Sequence, residues 1–253
     1  MGLKTRAKEM EPQWVQRRRV QASVRRLRRR NRDRPIEDVF TDIYLSGAWG
    51  KGTEGFSSGE GTRDSRLVDG YVGWVEHLAA TDGFAGGRFV DLGCGDFVVG
   101  RRLLPLAGAY IGVDIAKPVI DRNIIEFGSE SVSFLHANLV VDELPEGDVC
   151  FVRQVMQHLS NDEILALLPK LGRFRWVVIT EHIPVGRFNP NVDKPHGSDT
   201  RVSDGSGVLI TASPFSIPAH KVRLLGSMPV SDDEAVGQLS TWLYEPGRVG
   251  ISA

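Results

Sequence analysis

The chain has 253 residues, of which 41% are hydrophobic and 25% charged, and its formal net charge is -1. This composition is ordinary for a globular protein and excludes fibrous and low-complexity chains. It contains no run of about eighteen apolar residues, and its first residues lack the apolar core of a secretory signal. The sequence therefore predicts a cytoplasmic protein with no transmembrane segment.

The first 34 residues carry a strong positive charge. They contain 13 Lys and Arg against 3 Asp and Glu, whereas the remainder contains 18 against 29. Val20, Val24 and Leu27 recur at helical spacing among the arginines, which favours a basic amphipathic helix. Three interpretations of this extension stay open: a solvated or body-docked segment, a segment that binds an anionic partner such as nucleic acid or a phospholipid surface, and an organelle-targeting segment.

Residues 35–86 are predicted to form a helical cap around a glycine-rich segment. Apolar residues at helical spacing after Pro35 predict a first helix, and Arg63 to Ala80 repeats that pattern. Between them lies the glycine-rich segment, Ser46 to Thr62, which contains six glycines. So long a loop is usually either functional or disordered, and it is read here as a lid, with a mobile linker as the alternative.

A nucleotide-binding crevice is indicated further along the chain. Arg88 to Leu92 has the residue types of a buried parallel strand, and Gly93 and Gly95 then permit a tight turn close to a ligand. The following strand ends at Asp114, whose carboxylate can accept hydrogen bonds from the vicinal hydroxyls of an adenosine ribose. Val98 replaces the third glycine of a dinucleotide fingerprint, so a dinucleotide is disfavoured.

This order of an acidic residue, a leucine, a Gly-x-Gly turn and a strand ending in Asp resembles the class I S-adenosylmethionine-dependent methyltransferases of the small-molecule type. The resemblance covers residues 87–182. It implies that S-adenosyl-L-methionine is the cofactor. It also implies that Asp91 orders the loop near the methionine amino group, that Gly93 and Gly95 lie against the methionine and ribose portions, and that Asp114 holds the ribose.

Two positions depart from the family's pattern. Phe97 stands where the glycine-rich motif often has a third glycine. Asn138 follows the predicted strand Val132 to His136, at a position where the family commonly has an acidic residue that faces the adenine. An amide oxygen can accept from the adenine amino group, and asparagine is also a common turn former, so both roles stay open.

The segment after the predicted fourth strand, Asp148 to Val152, also matches a family feature. Residues near the transferred methyl group are often found there in small-molecule methyltransferases. Its first residue, Arg153, is a candidate cofactor ligand, and His158 is a candidate catalytic base. A fifth strand, Phe174 to Thr180, is predicted to end at a second candidate base, His182, in the crevice outside the carboxyl ends of the strands.

Histidine suits the role of base because it is mostly neutral at cytoplasmic pH and can take a proton from an alcohol acceptor. Each candidate has a structural alternative. His158 can cap or pack on its helix, and His182 can hydrogen-bond a neighbouring strand.

The last part of the chain completes the predicted fold. Arg187 to Ser206 is dense in polar side chains, which suits a polar substrate or a solvated surface loop. Lys221 to Ser227 and Gln238 to Tyr244 predict two final strands. The whole order predicts an α/β methyltransferase domain over residues 87–253: a doubly wound, Rossmann-like sheet of seven strands, mostly parallel with an antiparallel last strand.

Several chemistries are disfavoured. No Pro-Pro pair occurs, so the Asn/Asp-Pro-Pro-aromatic motif of family members that methylate exocyclic nucleobase amines is absent. Cys94 and Cys150 have no recognisable catalytic context and are predicted to be small buried residues rather than a disulfide pair. Neither CxxC nor HExxH occurs, so no metal site is predicted.

The sequence thus predicts methyl transfer to a polar small molecule or saccharide-like acceptor, with oxygen preferred. One alternative is a nucleic-acid methyltransferase that uses the basic extension as a phosphate-binding arm. Another is a methyltransferase-like protein that only binds a partner or cofactor.

Overall fold

The computed structural model describes residues 13–50, 55–231 and 236–247. The predicted features that fall on residues 1–12 and 51–54, at the start of the basic extension and in the middle of the glycine-rich segment, lie outside the described residues.

Seven strands form one sheet. They are β1 (Arg88–Leu92), β2 (Ala109–Asp114), β3 (Val132–His136), β4 (Val149–Arg153), β5 (Trp176–Pro184), β6 (Val222–Ser231) and β7 (Val236–Tyr244). β1 and β4 are almost continuously apolar because they lie in the middle of the sheet and are covered on both faces.

The strand order is β3-β2-β1-β4-β5-β7-β6. The first five strands pair in parallel, and β7 runs antiparallel to both β5 and β6. The order reverses between β1 and β4, so the crevice at their carboxyl ends is a topological switch point, where doubly wound sheets bind ligands. The predicted fold class is confirmed.

Five α-helices are described. They are α1 (Gln13–Asn31), α2 (Ile36–Ser46), α3 (Ser65–Thr81), α4 (Lys117–Phe127) and α5 (Asn161–Leu171). The predicted capping box of α5 is present, because Ser160 Oγ accepts from the Glu163 N–H and the Glu163 carboxylate accepts from the Ser160 N–H.

Two apolar layers hold the sheet between the helices. One face packs against α2 and α5 through residues such as Leu92, Val152 and Ile164. The other packs against α3 through an aromatic cluster. Its rings are Phe84, Phe89, Phe97, Tyr110, Phe151 and Trp176. Phe97, which replaces a family glycine, therefore serves this core, with its backbone at a φ of 63°.

Within the described part of the basic extension, α1 is the helix that the sequence predicts, and its last turn docks on the body. Arg28 pairs with Asp199 at 2.8 Å and with Asp204 at 2.5 Å, while Arg34 pairs with Asp42 at 2.6 Å. The body-docked interpretation accounts for this end of the helix.

The predicted end of β5 is wrong. The strand continues through Glu181 and His182 to Pro184, because β7 pairs with it as far as Gly237 opposite Pro184. Local sequence could not show this extension, since the pairing partner lies more than fifty residues further along the chain. The predicted β6 and β7 likewise begin or end a few residues short of the observed strands.

Candidate active site

A cavity of about 1330 Å³ opens at the carboxyl ends of the central parallel strands. Its walls include the turn after β1, the end of β2, the segment after β4, the glycine-rich segment and the loop around Ser198. All eight candidate site residues are present in its wall or in the turn that shapes it. Those lining it are Asp91, Gly93, Asp114, Asn138, Arg153, His158 and His182, and Gly95 lies in the same turn.

The turn after β1 depends on its two glycines. Gly93 has a φ of 77° and Gly95 a φ of 54°, both in the left-handed region that glycine adopts at little cost. A Cβ on Gly93 would lie 2.5 Å from Val155 Cγ2, and one on Gly95 would overlap Ser58 Oγ. The turn therefore brings bare backbone to the cavity.

Asp114 fixes that turn from the end of β2. One carboxylate oxygen accepts from the Gly95 N–H at 3.0 Å and the other accepts from the Ala116 N–H at 2.9 Å. Burial raises its pKa, and these backbone donors act in the opposite direction. Each oxygen keeps a further acceptor site, which is the chemistry that two vicinal hydroxyls require.

Asp91, in β1, is buried beside the same turn. Its carboxylate accepts a 2.7 Å hydrogen bond from the Tyr110 hydroxyl. Burial raises its pKa to about 6 against the lowering effects of Tyr110 and Arg153. A buried carboxylate with one fixed partner at a cavity wall is suited to a cationic amine.

Asn138, which follows β3, also lines the cavity. Its Oδ1 accepts from the Val140 N–H at 2.9 Å, which is the hydrogen bond of a turn-forming asparagine. The turn-forming role is thus present. Contact with an adenine stays a prediction.

The glycine-rich segment closes over the turn. Ser58 and Asp96 form a reciprocal pair: the Ser58 N–H donates to Asp96 Oδ2 at 3.0 Å, and the Asp96 N–H donates to Ser58 Oγ at 2.8 Å. Ser58 Oγ also lies 3.3 Å from the hydroxyl of Tyr44. Two polar contacts therefore hold this segment against the β1 turn, and the third holds it against α2.

Arg153 contacts the same segment from the end of β4. Its Nη2 donates to the Gly61 carbonyl at 2.7 Å, and its guanidinium lies 5.3 Å from the ring centre of Tyr71. Its Nε is buried and has no hydrogen-bond acceptor among the described residues. A guanidinium with an unused buried donor at a cavity wall suits an anionic or carbonyl oxygen.

The backbone after β4 is held in an unusual conformation. Gln154 has a φ of 57°, and its N–H donates to the Thr180 carbonyl at 2.6 Å. Glu181 stabilises the next residues, because its carboxylate accepts from the N–H groups of Met156 and Gln157 at 3.0 and 2.9 Å. Left-handed non-glycine residues are concentrated at functional sites, where the surrounding structure holds them.

His158 is buried at the cavity wall with both ring nitrogens engaged. Nδ1 lies 3.1 Å from the Gly197 carbonyl, which requires the proton on Nδ1, and Nε2 then accepts from Gln157 Nε2 at 3.2 Å. Burial lowers the pKa of His158 to about 3, with the charge of Lys194 acting in the same direction. The ring is therefore neutral and weakly basic, and it packs 5.0 Å from the ring centre of Trp49.

His182 lies on β5 and also lines the cavity. Its backbone N–H donates to Gln157 Oε1 at 3.2 Å. Its imidazole lies beside Gly237 of β7, where an added Cβ would overlap Nε2. The side-chain amide of Gln157 thus contacts the ring of His158 at one end and the backbone of His182 at the other.

Two side chains of the polar loop from Arg187 to Ser206 have a different role from both of the predicted ones, while Ser198 and Thr200 of the same loop line the cavity. Arg201 is fully buried and donates to the carbonyls of Val192 and Met156, while Asn191 donates to the Leu209 carbonyl. Both side chains are buried and donate hydrogen bonds to backbone carbonyls, and neither lines the cavity. Their polarity stabilises an irregular loop.

Several residues of the site have no signal in the sequence. Tyr44, Tyr110 and Ser58 come from separate elements, and only the fold brings their hydroxyls to Asp91, Asp96 and the turn. Asp96 could have been noted as a second acidic residue directly after the glycine turn. Gln157 could not, since a glutamine next to a histidine is unremarkable.

The cysteine prediction is confirmed, because Cys94 and Cys150 are free and buried. Burial raises the pKa of both thiols well above the ordinary value. Within the described ranges, no group of three metal-ligating side chains occurs. No helix in the described part of the chain has the length and apolar character needed to cross a membrane.

Comparison with curated proteins finds short similarities to methyltransferases. An uncharacterised methyltransferase of Mycobacterium bovis and one of Mycobacterium tuberculosis are each 29% identical to this chain over 85 residues, which is 33% of this chain. The match spans 42% of the length of these relatives. No protein-family model matches the chain.

Solved structures resemble the whole fold. The N-methyltransferase NodS of Bradyrhizobium japonicum, crystallised with S-adenosyl-L-homocysteine, has a TM-score of 0.54 at 9% identity and covers 83% of this chain and 99% of its own. Magnesium protoporphyrin IX methyltransferase of Synechocystis, with the same ligand bound, has a TM-score of 0.51 at 14% identity, with coverage of 83% and 100%. The fold is that of class I methyltransferases.

A third structure widens the range of acceptors within this fold. The 1,6-didemethyltoxoflavin-N1-methyltransferase of Burkholderia thailandensis has a TM-score of 0.50 at 15% identity and covers 83% of this chain and 87% of its own. Its bound acceptor is a different class of molecule from a porphyrin, so the fold carries no information about the acceptor.

Proposed function

We propose that this chain is an S-adenosyl-L-methionine-dependent methyltransferase that acts on a polar small molecule or saccharide-like acceptor, with oxygen as the methylated atom. The observation that carries the proposal is the arrangement of Asp91, Gly95 and Asp114 around one crevice at the switch point of a class I methyltransferase sheet. The solved structures of this fold and the short similarities to curated methyltransferases support it.

The residues present fit the cofactor. An adenosine ribose needs a pair of acceptors, and Asp114 has one further acceptor site on each oxygen. A methionine ammonium needs a carboxylate, for which Asp91 is placed in the wall of the cavity. A methionine carboxylate needs a donor, and Arg153 Nε is a buried donor with no acceptor in the described structure. The cavity, at about 1330 Å³, exceeds the range of about 300 to 1000 Å³ typical of a single small-molecule site, so there is room for an acceptor as well.

When bound, the cofactor supplies a methyl group on a positively charged sulfur, which is already an activated leaving group. The protein's main contribution is then to hold the acceptor in line. Orientation of this kind can contribute about 7 to 11 kcal/mol. The segment after β4 is suited to that task, because Gln154 and Glu181 hold its backbone rigidly beside Arg153.

An oxygen acceptor must also lose a proton, and the two histidines are the candidate bases. The pKa of His158, lowered to about 3, makes it a weak proton acceptor and suits it better to holding Gln157 and Trp49 in place. His182 is therefore the preferred base in this proposal. Gln157 would hold the backbone of His182 in place, since its Oε1 accepts from the backbone N–H of that residue while its Nε2 donates to the ring of His158.

The glycine-rich segment is proposed to be a lid. It bonds to the β1 turn through Ser58 and to the end of β4 through Gly61, which are the two places where the proposed cofactor ligands lie. Cofactor that bridges the turn and Arg153 would stabilise the closed form and exclude water from the transfer step.

The test is incubation of the full chain with methyl-labelled S-adenosylmethionine and metabolite fractions separated into small molecules, polysaccharide and RNA. Label in the small-molecule or polysaccharide fraction supports the proposal. Treatment with mild base then identifies the product, because base releases the label from a methyl ester and leaves it on a methyl ether. Label on nitrogen would contradict the oxygen assignment, and label in RNA would contradict the acceptor class. The double variant Asp91→Asn, Asp114→Asn serves as the control for activity that depends on the crevice.

A further inference from the structure

The exposed side of α1 carries a regular stripe of arginine. At about 100° per residue, Arg18, Arg25 and Arg29 form one row along the helix, and Arg19, Arg26 and Arg30 form a second row beside it. All six side chains are exposed, and together they fall within an arc of about 140°. With a rise of about 1.5 Å per residue, the stripe is about 18 Å long.

The opposite side of the same helix faces the body. Val20, Val24 and Leu27 are half-buried and lie on this side, as do Arg28 and Asn31. Arg28 pairs with Asp199 and Asp204, and Asn31 Nδ2 donates to the His196 carbonyl at 3.4 Å. The arginine stripe therefore lies on the side of the helix opposite these contacts, and the last turn of the helix is fixed to the body. Arg30, at the end of the stripe, also pairs with Asp42 of α2 at 3.4 Å.

The anchored end of the helix lies next to the cavity. Asp199, which holds Arg28, stands between Ser198 and Thr200, and both of these line the cavity wall. The Ser198 carbonyl also accepts from the indole N–H of Trp49 at 3.3 Å. A partner that lies along the stripe is thereby brought to the rim of the active site.

The residue types in the arginine stripe decide between a lipid bilayer and a nucleic acid as its anionic partner. A helix that enters a bilayer surface needs large apolar side chains on its outer face. Within the arc of the arginines the only other exposed residue from 18 to 30 is Ala22, and the larger apolar residues face the body. A stripe about 18 Å long spans about six successive phosphates of one strand, at about 3.4 Å from one to the next along the helix axis. Guanidinium groups bind phosphate oxygens in pairs of hydrogen bonds.

We infer that the arginine stripe of α1 is a docking surface for the phosphate backbone of a nucleic acid, placed at the rim of the cavity. The inference goes beyond the proposed function, because binding to the stripe is independent of which molecule accepts the methyl group. Since the contacts are to phosphates, binding is independent of base sequence and steeply dependent on salt.

The experiment measures binding of the full chain to a labelled single-stranded RNA and to a DNA duplex of the same sequence by fluorescence anisotropy, between about 50 and 200 mM salt. The test variant is Arg25→Gln, Arg26→Gln, Arg29→Gln. The matched control, Arg88→Gln, Arg101→Gln, Arg175→Gln, removes the same charge from exposed arginines elsewhere. Thermal melts confirm that both variants are folded.

If each arginine of the stripe neutralises one phosphate, RNA affinity of the wild-type chain falls about 300-fold over this salt range, and that of the test variant only about 20-fold. The control variant keeps the wild-type slope. Binding to either the RNA or the DNA duplex supports the inference, and the one that binds more tightly is the preferred form of nucleic acid. Absence of binding at about 50 mM salt, or equal slopes for the test and control variants, overturns it. So does binding to vesicles of phosphatidylcholine and phosphatidylglycerol without binding to nucleic acid.

Discussion

Replacing Asp114 by Asn separates the proposed ribose contact from the folding role of the same side chain. Asn has almost the same shape, but it removes the charge and replaces one acceptor oxygen by an amide donor. In the wild-type protein the two oxygens accept from the N–H groups of Gly95 and Ala116. One of these two hydrogen bonds is therefore lost in Asp114→Asn.

The expected magnitudes follow from these contacts. A hydrogen bond to a charged group contributes about 1.5 to 3 kcal/mol, so the affinity for S-adenosylhomocysteine should fall by about 10- to 150-fold. The unpaired backbone N–H costs a further 1 to 3 kcal/mol, roughly, in folding stability. In a chain of this size that cost lowers the Tm by about 2 to 12 °C.

Calorimetric titration with S-adenosylhomocysteine, together with thermal melts without ligand, measures both effects. Asp121→Asn is the matched control, because Asp121 is an exposed residue of α4 that pairs with Lys117. Its affinity should stay within about twofold of the wild type. Unchanged affinity in Asp114→Asn, or preferential binding of a nicotinamide dinucleotide by the wild type, would refute the reasoning.

Four further predictions concern other parts of the site. Affinity for S-adenosylhomocysteine should fall about tenfold from pH 7 to pH 5, because Asp91, with a pKa of about 6, gains a proton and loses the charge that binds an ammonium. In the wild type, S-adenosylhomocysteine should slow limited proteolysis of the glycine-rich segment. In Gly95→Ala the segment should be cleaved fast with or without this ligand, because the added methyl group would displace Ser58. Once an acceptor is known, His182→Ala should lower kcat by about 100-fold or more, and His158→Ala should lower it less. Arg28→Ala should lower stability by about 1 to 3 kcal/mol in chemical denaturation, because Asp199 is buried and loses its strongest donor.

Each of the first three has a contradicting result. A flat pH profile, or the same profile in Asp91→Asn, would remove Asp91 from the ammonium site. Equal cleavage rates with and without ligand in the wild type would make the glycine-rich segment a linker. Wild-type turnover in both histidine variants would mean that alignment alone drives the transfer.

The raised pKa of Asp91 also makes the folding stability depend on pH, in the direction opposite to that of the cofactor affinity. Its folded-state pKa, about 6, lies above its ordinary value of 3.8. The stabilisation from this group is therefore fully present below about pH 3.8 and is lost as the pH rises through about 6. The burial of this carboxylate thus makes the free protein less stable at the pH at which it is ready to bind a cation.

The sequence by itself was sufficient for the fold and for the position of the crevice. Alternating helical and buried-strand patterns from Arg88 onward identify parallel strands, and parallel strands bring their carboxyl ends to one edge of the sheet. Gly93, Gly95 and Asp114 are predicted from that geometry. Each stands at or just after a strand end, where a nucleotide site needs a tight glycine turn or an acceptor side chain. These are local properties, and a single sequence carries them.

Only the tertiary structure decided what the remaining polar residues do. The sequence predicts that Arg201 is a surface or substrate-binding residue, yet it is buried and stabilises a loop through hydrogen bonds to backbone carbonyls. The sequence predicts that His158 is a base, yet burial, together with the charge of Lys194, lowers its pKa to about 3. Arg28 is indistinguishable from its neighbours in sequence, yet it anchors α1 through partners about 170 residues away. The physical reason is common to all three. The charge and hydrogen bonding of a side chain depend on solvent exposure and on partners distant in sequence, and these are determined when the chain packs.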